Sequence, residues 1–308
     1  MTDGAGVAVV TGASGYLGSR ICANLSARGW SVVRLVRSPM PDAGSSFKYD
    51  IAAPVDEEVR KVLESADVLV HAAYDLSVTS RADIWRINVE GTRNLLQEAR
   101  RANVSRILVL SSMSAYEGTA QLYGQAKLAI EEDTIAAGGC VIRPGVVIGQ
   151  QPGGMAGALK KLASLPVVPV IAGNPRQYVV REDDLMAAIA ALATCEKLPP
   201  GPIGVAHPIR VPFRDLLEAV HPWHRRRPLF VPIPWRLVYL VLRTGETLRI
   251  KLPFRADSLL GLVHSAPNVP GLQDLTQLGV TPRVVPSGHD ADEQQETLKT
   301  TGHGQIRG

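Results

Sequence analysis

Apolar positions in the first half of the chain come in short unbroken runs rather than in alternation with polar ones. These are VAVVT (7–11), SVVRLV (31–36), DVLVH (67–71), RILVLS (106–111) and CVIR (140–143). Runs of Val, Ile and Leu without polar alternation are the pattern of strands covered on both faces. Between the first two runs, Leu17, Ile21 and Leu25 recur at helical spacing, and Gly29 follows as a C-terminal stop. Longer helical patterns span 83–103 and 120–137. Strand–helix–strand repetition predicts parallel strands joined by right-handed crossovers. The fold class that results is α/β, a doubly wound parallel sheet of the Rossmann kind with its ligand crevice at the strands' carboxyl ends.

The texture changes after Gly149. Positions 150–157 are rich in Gly and Pro, and proline recurs at 166, 169, 175, 199 and 200. Positions 182–194 again carry a helical pattern that returns to the main sheet. The chain therefore divides into a dinucleotide-binding domain (1–150 with about 181–199) and a smaller, interleaved substrate lobe (150–180 and 200–285). From 287 to 308 there is almost no large apolar residue, the composition of a mobile tail. Within the lobe, Trp235, Leu237, Tyr239, Leu240 and Leu242 predict a helix packed in the lobe or at a subunit contact rather than on a membrane surface. No internal repeat is present.

Composition removes several classes of function. Of 308 residues, 33 are Lys or Arg and 29 are Asp or Glu, a net charge of +4 that is mild for this length. The basic residues are dispersed, with one dense cluster at Arg225, Arg226 and Arg227, which argues against nucleic acid as a partner. Cys22, Cys140 and Cys195 lie far apart, with neither disulfide nor zinc-ligand spacing, and favour a reducing compartment. His221 and His224 flank Trp223 without the acidic or thiol partners a metal would need, so no metal is expected. No apolar stretch reaches the ~20 residues of a membrane span, and no secretory pattern opens the chain. The expectation is a cytoplasmic protein with a small-molecule substrate and no membrane partner.

The first strand ends in Thr11-Gly12-Ala13-Ser14-Gly15-Tyr16-Leu17-Gly18, and a helical pattern follows at once. Gly12 permits the tight turn, Gly15 lets backbone approach a pyrophosphate, and Gly18 lets the helix pack on the strand. The helix N-terminus then offers free N–H donors to phosphate. At the end of the second strand, where an acid would hold an adenosine ribose, the residues are Arg34, Leu35, Val36 and Arg37. Arg37 can pair with a 2′-phosphate, so NADP is favoured over NAD, while Arg34 reads as a solvated strand residue. Tyr123 and Lys127 stand four apart on one helix face, where an ammonium favours phenolate and lowers the tyrosine pKa. Ser112, after the fourth strand, can donate to a substrate oxygen as it becomes alkoxide.

With these residues the chain resembles the extended short-chain dehydrogenase/reductase family, the NAD-dependent epimerases and dehydratases, over about 5–285. The resemblance rests on TGASGYLG (11–18), Asp50-Ile51, His71-Ala72-Ala73, NVEGT (88–92), LSSMSAY (110–116), YGQAK (123–127), RPGVVIG (143–149) and REDD (181–184). It implies that Ser112, Tyr123 and Lys127 form the catalytic set, with Ser112 chosen because it stands four before Tyr116. It also implies that Gly12, Ser14, Gly15, Tyr16, Leu17, Gly18, Arg37, Asp50, Ile51, Ala72, Ala73, Lys127 and Pro144 border the cofactor, and that the protein is a homodimer.

This chain departs from the family pattern in two ways. Ser112 and Tyr123 are only 11 residues apart, so a loop bordering the substrate is trimmed. Val146 stands where sugar-nucleotide enzymes commonly carry Asn, and Met113 and Ser114 stand where dehydratases carry acids. The expected activity is an NAD(P)-dependent oxidoreductase acting on a secondary alcohol or carbonyl of a non-nucleotide substrate. The alternatives are a nucleotide-sugar epimerase and a non-catalytic dinucleotide sensor. His71 is expected to be a packed strand-end residue rather than a base. Tyr74, Tyr116 and Tyr178 are placed near the pocket, more as packing than as chemistry.

Overall fold

The computed structural model describes residues 6–38, 45–149, 151, 153–221, 228–248, 250 and 254–285. The arginine run at 225–227, Trp223, His224 and the 287–308 tail lie outside the described residues.

In chain order the elements begin with β1 (Val7–Thr11), α1 (Tyr16–Ala27), β2 (Ser31–Val36), β3 (Ser46–Lys48), α2 (Glu57–Glu64) and β4 (Val68–His71). There follow α3 (Arg81–Ile84), a π-helical turn at Trp85–Val89, α4 (Glu90–Arg101), β5 (Arg106–Leu110), α5 (Leu122–Ala136) and β6 (Cys140–Pro144). The next group is β7 (Val146–Ile148), α6 (Gly154–Ala163), β8 (Val167–Ile171), β9 (Arg176–Gln177), β10 (Val179–Arg181), α7 (Glu182–Thr194) and β11 (Pro202–Val205). The chain closes with β12 (Val211–Pro212), α8 (Phe213–Val220), β13 (Leu229–Ile233), α9 (Trp235–Thr247), α10 (Ala256–Val263) and α11 (Leu272–Gln277).

Seven parallel strands form the central sheet in the order β11-β6-β5-β4-β1-β2-β3. Alternate residues of each apolar run serve opposite faces. Val10, Val70, Leu108 and Ile142 pack with Ile21 and Leu25 of α1 and with Leu185, Ile189 and Leu192 of α7. Val9, Leu69 and Val109 pack on the other side with Leu63 of α2, Leu95 and Leu96 of α4, and Ile130 of α5. Burial on both faces explains why the strands carry no polar alternation. The order reverses between β1 and β4, which opens the crevice where such sheets bind ligands.

The smaller lobe has a core of its own, built from Leu159, Val168, Phe213, Leu217, Leu242, Leu259 and Leu262. It is framed by the strand pairs β8–β13, β9–β12 and β7–β10. Residues 202–205, grouped with the lobe by their prolines and glycines, instead form β11 beside β6. The outer edge of β11 is covered: Gly204 N donates to the Pro270 carbonyl at 2.7 Å, and Leu275 of α11 is fully buried. The helical pattern at 83–103 resolves into α3, the π turn and α4. In α9 only part of the apolar set points inward: Tyr239 and Leu242 reach the core, while Leu237 and Leu240 are 54% and 61% exposed. Among the described residues no helix is long and apolar enough to cross a membrane.

Candidate active site

The glycine loop lies where β1 and β4 part. Gly12 has φ +64°, and a methyl there would come within 2.8 Å of Ala73 N. A methyl on Gly18 would collide with the Gly12 carbonyl oxygen, so α1 can seat on the loop only with glycine at 18. Gly15 is the N-cap of α1 and supplies no side-chain cap; beside it Ser14 is exposed, which leaves the first-turn donors open. Leu17 packs on the sheet core. The Tyr16 side chain leaves the loop and donates to Glu182 of α7 at 2.5 Å. Burial, then this partner, pushes its phenol well above the ordinary range. On that side a cavity of about 440 Å³ is lined by Arg20, Gly149, Arg181 and Glu182, and by none of the expected catalytic residues.

A buried polar chain fixes the floor of the crevice. Thr11 Oγ1 accepts the backbone N–H groups of Ala72 and Ala73, each at 3.1 Å, and so donates to His71 Nδ1 at 2.8 Å. The remaining ring proton goes to Thr92 Oγ1 at 2.9 Å. Burial, with the Lys127 charge second, holds the imidazole pKa near 3, so His71 stays neutral and structural. Arg37 is exposed just beyond β2, at the carboxyl edge of the sheet. Its charge helps hold Asp75 below the usual carboxylate range, after the larger effect of the Ser77 hydrogen bond. Arg34 is half-buried beside Cys22, not a solvated strand residue. Asp50 is exposed and turns the chain by accepting from Ala52 N at 3.0 Å, and Ile51 is buried against Gly91 of α4. Pro144 is buried at the end of β6, its carbonyl accepting Met113 N at 3.1 Å.

Ser112, Tyr123 and Lys127 come together at the carboxyl ends of β5 and β6. Ser112 and the Tyr123 hydroxyl are hydrogen-bond partners, and Ser112 Oγ accepts from Ser114 N at 3.1 Å. Gly124 lets the trimmed 112–121 loop lie on α5, because a methyl there would collide with the Ser114 carbonyl. Lys127 is 5% exposed, and its Nζ donates to the Leu110 carbonyl at 2.7 Å. One turn on, Glu131 is buried in a two-point pair with Arg143 (2.8 and 2.5 Å) and also accepts from Ser111. Burial lowers the ammonium pKa to about 8, opposed by Glu131.

The tyrosine corrects one expectation. Burial pushes its phenol up to about 12, against the Ser112 hydrogen bond, where a lowered value was expected. The reason is geometric. Lys127 Nζ is committed to the Leu110 carbonyl and lies 5.8 Å from the Tyr123 ring centre, and desolvation outweighs every opposing influence on the phenol.

Sequence reasoning placed Tyr74 near the pocket as packing, and it missed Asn88 and Asp257 as partners of the site. The Tyr74 ring stands edge-on to Tyr123 at 5.1 Å and 4.6 Å from Lys127 Nζ, its own hydroxyl buried without a partner. Asn88, in the π turn, clamps Asp75 through both backbone groups, at 2.6 and 3.2 Å. Asp257 of α10 accepts the N–H groups of Leu122 and Tyr123. Of the other aromatics, Tyr178 is buried with its hydroxyl on the Pro267 carbonyl, and Tyr116 packs against the same cluster. His221 bonds the Ala163 carbonyl, and among the described residues no group of three His, Cys, Asp or Glu can hold a metal ion.

The chain is similar over 199 residues to the ceramide reductase of Caulobacter vibrioides, at 28% identity, with 62% of each protein covered. It spans 62% and 27% of the lengths of the first curated relatives it matches. Among solved structures, the terminal R domain from the myxalamid PKS-NRPS biosynthetic pathway superposes with a TM-score of 0.72 at 16% identity, covering 100% of this chain and 94% of that one. MoeE5 in complex with UDP-glucuronic acid and NAD gives 0.69 at 21% identity, covering 91% and 94%. At these identities the likeness is one of fold. The profile of the NAD dependent epimerase/dehydratase family matches residues 8–203, a span that runs from the glycine loop through the Tyr123 helix to β11, and the chain belongs to that family.

Proposed function

We propose that the chain is an NADP-dependent oxidoreductase that interconverts a secondary alcohol and a ketone in a small, largely apolar, non-nucleotide substrate. The observation that carries this reading is the grouping of Ser112, Tyr123 and Lys127 at the same sheet edge as the glycine loop. The cradle fits a dinucleotide: Gly12 and Gly18 leave room that a methyl would fill, and the start of α1 has no side-chain cap. Gly12, Ser14, Gly15, Leu17 and Gly18 would hold the pyrophosphate, with Tyr16 contributing backbone alone. Asp50, Ile51, Ala72, Ala73 and Pro144 would border the remainder, and Arg37 the 2′-phosphate.

When bound, the nicotinamide supplies or takes the hydride. Tyr123 gives its proton to the substrate oxygen in reduction and recovers it in oxidation. The Ser112 hydroxyl donates to that oxygen as negative charge develops on it. Lys127 keeps two N–H donors after Leu110 takes one, enough to hold a ribose diol while its charge favours phenolate.

Apolar surroundings support the substrate class. Met113, Tyr178, Ala206 and Ala266 form a buried cluster beside Ser112. Three of the lobe's arginines are engaged elsewhere: Arg255 with the carbonyls of Ser77 and Val78, Arg214 with Glu218, Arg236 on the Trp235 ring. That dispersal favours a reductase over a nucleotide-sugar epimerase, and the ceramide reductase named above points the same way. The test pairs NADPH and NADH fluorescence titrations of wild type and Arg37→Asp with NADPH oxidation in the presence of decan-2-one. Wild type should prefer NADPH and the variant NADH. Calorimetry with UDP, dTDP and GDP completes the test, since micromolar binding of any of them would overturn the substrate class.

A further inference from the structure

We propose that residues 255–257 form a clasp through which the C-terminal lobe holds the catalytic helix in place, with Asp257 as a positioning residue for Tyr123. The proposal rests on the reading of Tyr123 as the proton donor.

A helix start leaves its first N–H groups without partners, and they fray unless something accepts them. The N-cap of α5 is Gln121, which makes no side-chain cap. The cap comes from far along the chain. Asp257 Oδ1 accepts Leu122 N at 2.7 Å and Oδ2 accepts Tyr123 N at 3.2 Å, 135 and 134 residues away in sequence. A carboxylate at that end of a helix also meets its positive dipole. Tyr123 is the second residue of α5, so one oxygen of Asp257 holds the amide of the very residue whose phenol does the chemistry. A frayed first turn would carry that phenol away from Ser112.

The clasp is itself anchored on both sides. Ala256 N donates to Glu246 Oε1 of α9 at 2.8 Å. Arg255 donates to the carbonyls of Val78 and Ser77, both at 3.2 Å, and so ties down the loop that carries Tyr74. The Tyr74 ring meets Tyr123 edge-on. Three consecutive residues of the lobe thus hold the helix bearing Tyr123 and the loop bearing its aromatic neighbour. One turn on, Gly261 permits the close approach: a methyl there would come within 2.7 Å of the Gln121 side-chain oxygen. The position of the lobe is therefore transmitted to the Tyr123 hydroxyl.

The experiment uses the full chain as Asp257→Ala, Asp257→Asn and Arg255→Ala. Hydrogen exchange of the free protein should show the amides of 122–126 exchanging about tenfold faster in Asp257→Ala, the loss expected for a missing cap, with β5 unchanged. With NADPH and decan-2-one, kcat should fall by about tenfold or more, as a displaced catalytic group predicts. NADPH affinity and KM should stay within about twofold. Asp257→Asn retains one acceptor, folds if the alanine variant does not, and should recover part of both losses. Unchanged exchange at 122–126 would overturn the clasp, and faster exchange with unchanged kcat would reduce it to a structural tie. If wild type bound neither NADPH nor NADH, the oxidoreductase reading would fail, while the exchange arm would still decide whether Asp257 holds the helix.

Discussion

Replacing Lys127 by methionine should remove activity and stabilise the fold, and the two effects share one cause. The ammonium is 5% exposed, and burial brings its pKa from 10.5 to about 8. At 1.36 kcal/mol per pKa unit, holding that charge in the folded protein at neutral pH costs about 3 kcal/mol. Methionine matches the stem and carries no charge, but it gives up the hydrogen bond to the Leu110 carbonyl, a loss of ~1–2 kcal/mol. The net expectation at pH 7 is a gain of ~1–2 kcal/mol. A base with a depressed folded pKa binds fewer protons in the native than in the unfolded state between about 8 and 10.5. Wild-type stability therefore rises with pH across that window and bears the full penalty below it. The advantage of the variant should be largest below pH 8 and vanish or reverse near 10. Urea unfolding of both proteins across that range measures it. A loss of equal size at every pH would refute the claim that the buried charge is held at a cost.

Three further outcomes follow from the same geometry. In the reductive direction kcat/KM should be flat below about pH 8 and then fall tenfold per pH unit as Lys127 loses its proton, a profile read from initial rates between pH 6 and 10. Arg143→Met leaves the Glu131 carboxylate buried without its cation and should destabilise by ~3–5 kcal/mol in urea unfolding. Gly18→Ala sets a methyl on the Gly12 carbonyl oxygen, so NADPH affinity should fall by at least about tenfold, together with a lower melting temperature.

What the sequence disclosed was whatever depends on neighbours in the chain. The glycine loop, the pairing of Tyr123 with Lys127 and the short apolar runs before each crossover are local, and α7 begins and ends at the positions its periodicity marks. Contacts between distant segments were illegible. Asp257 looks like any acid at the start of a lobe helix until α10 meets α5, and Tyr74 becomes the neighbour of Tyr123 only because β4 and α5 converge. The pKa of Tyr123 was misjudged for the same reason: spacing puts the ammonium on the right face, but burial and the Leu110 carbonyl decide where its charge is felt. Strand β11 escaped notice because four residues containing Pro202 and Gly204 carry too little pattern to distinguish an edge strand from a loop.

That short strand has a consequence for handling the protein in solution. A parallel sheet whose last strand is bare offers a template on which other chains can add, and colloidal loss then grows with concentration. Here the danger is met at one end by proline and by a strap. Pro202 has no N–H to offer, the Gly204 N–H is taken by Pro270, and a methyl at 204 would collide with Val269 and Pro270, so the strap lies flush. At the other end β3 is only three residues long and presents Lys48 to water. Shortening the chain before Val269 would strip the strap from β11 and expose its Gly204 N–H while leaving the crevice residues intact. Such a fragment would retain Ser112, Tyr123 and Lys127 and present a bare strand edge to its neighbours.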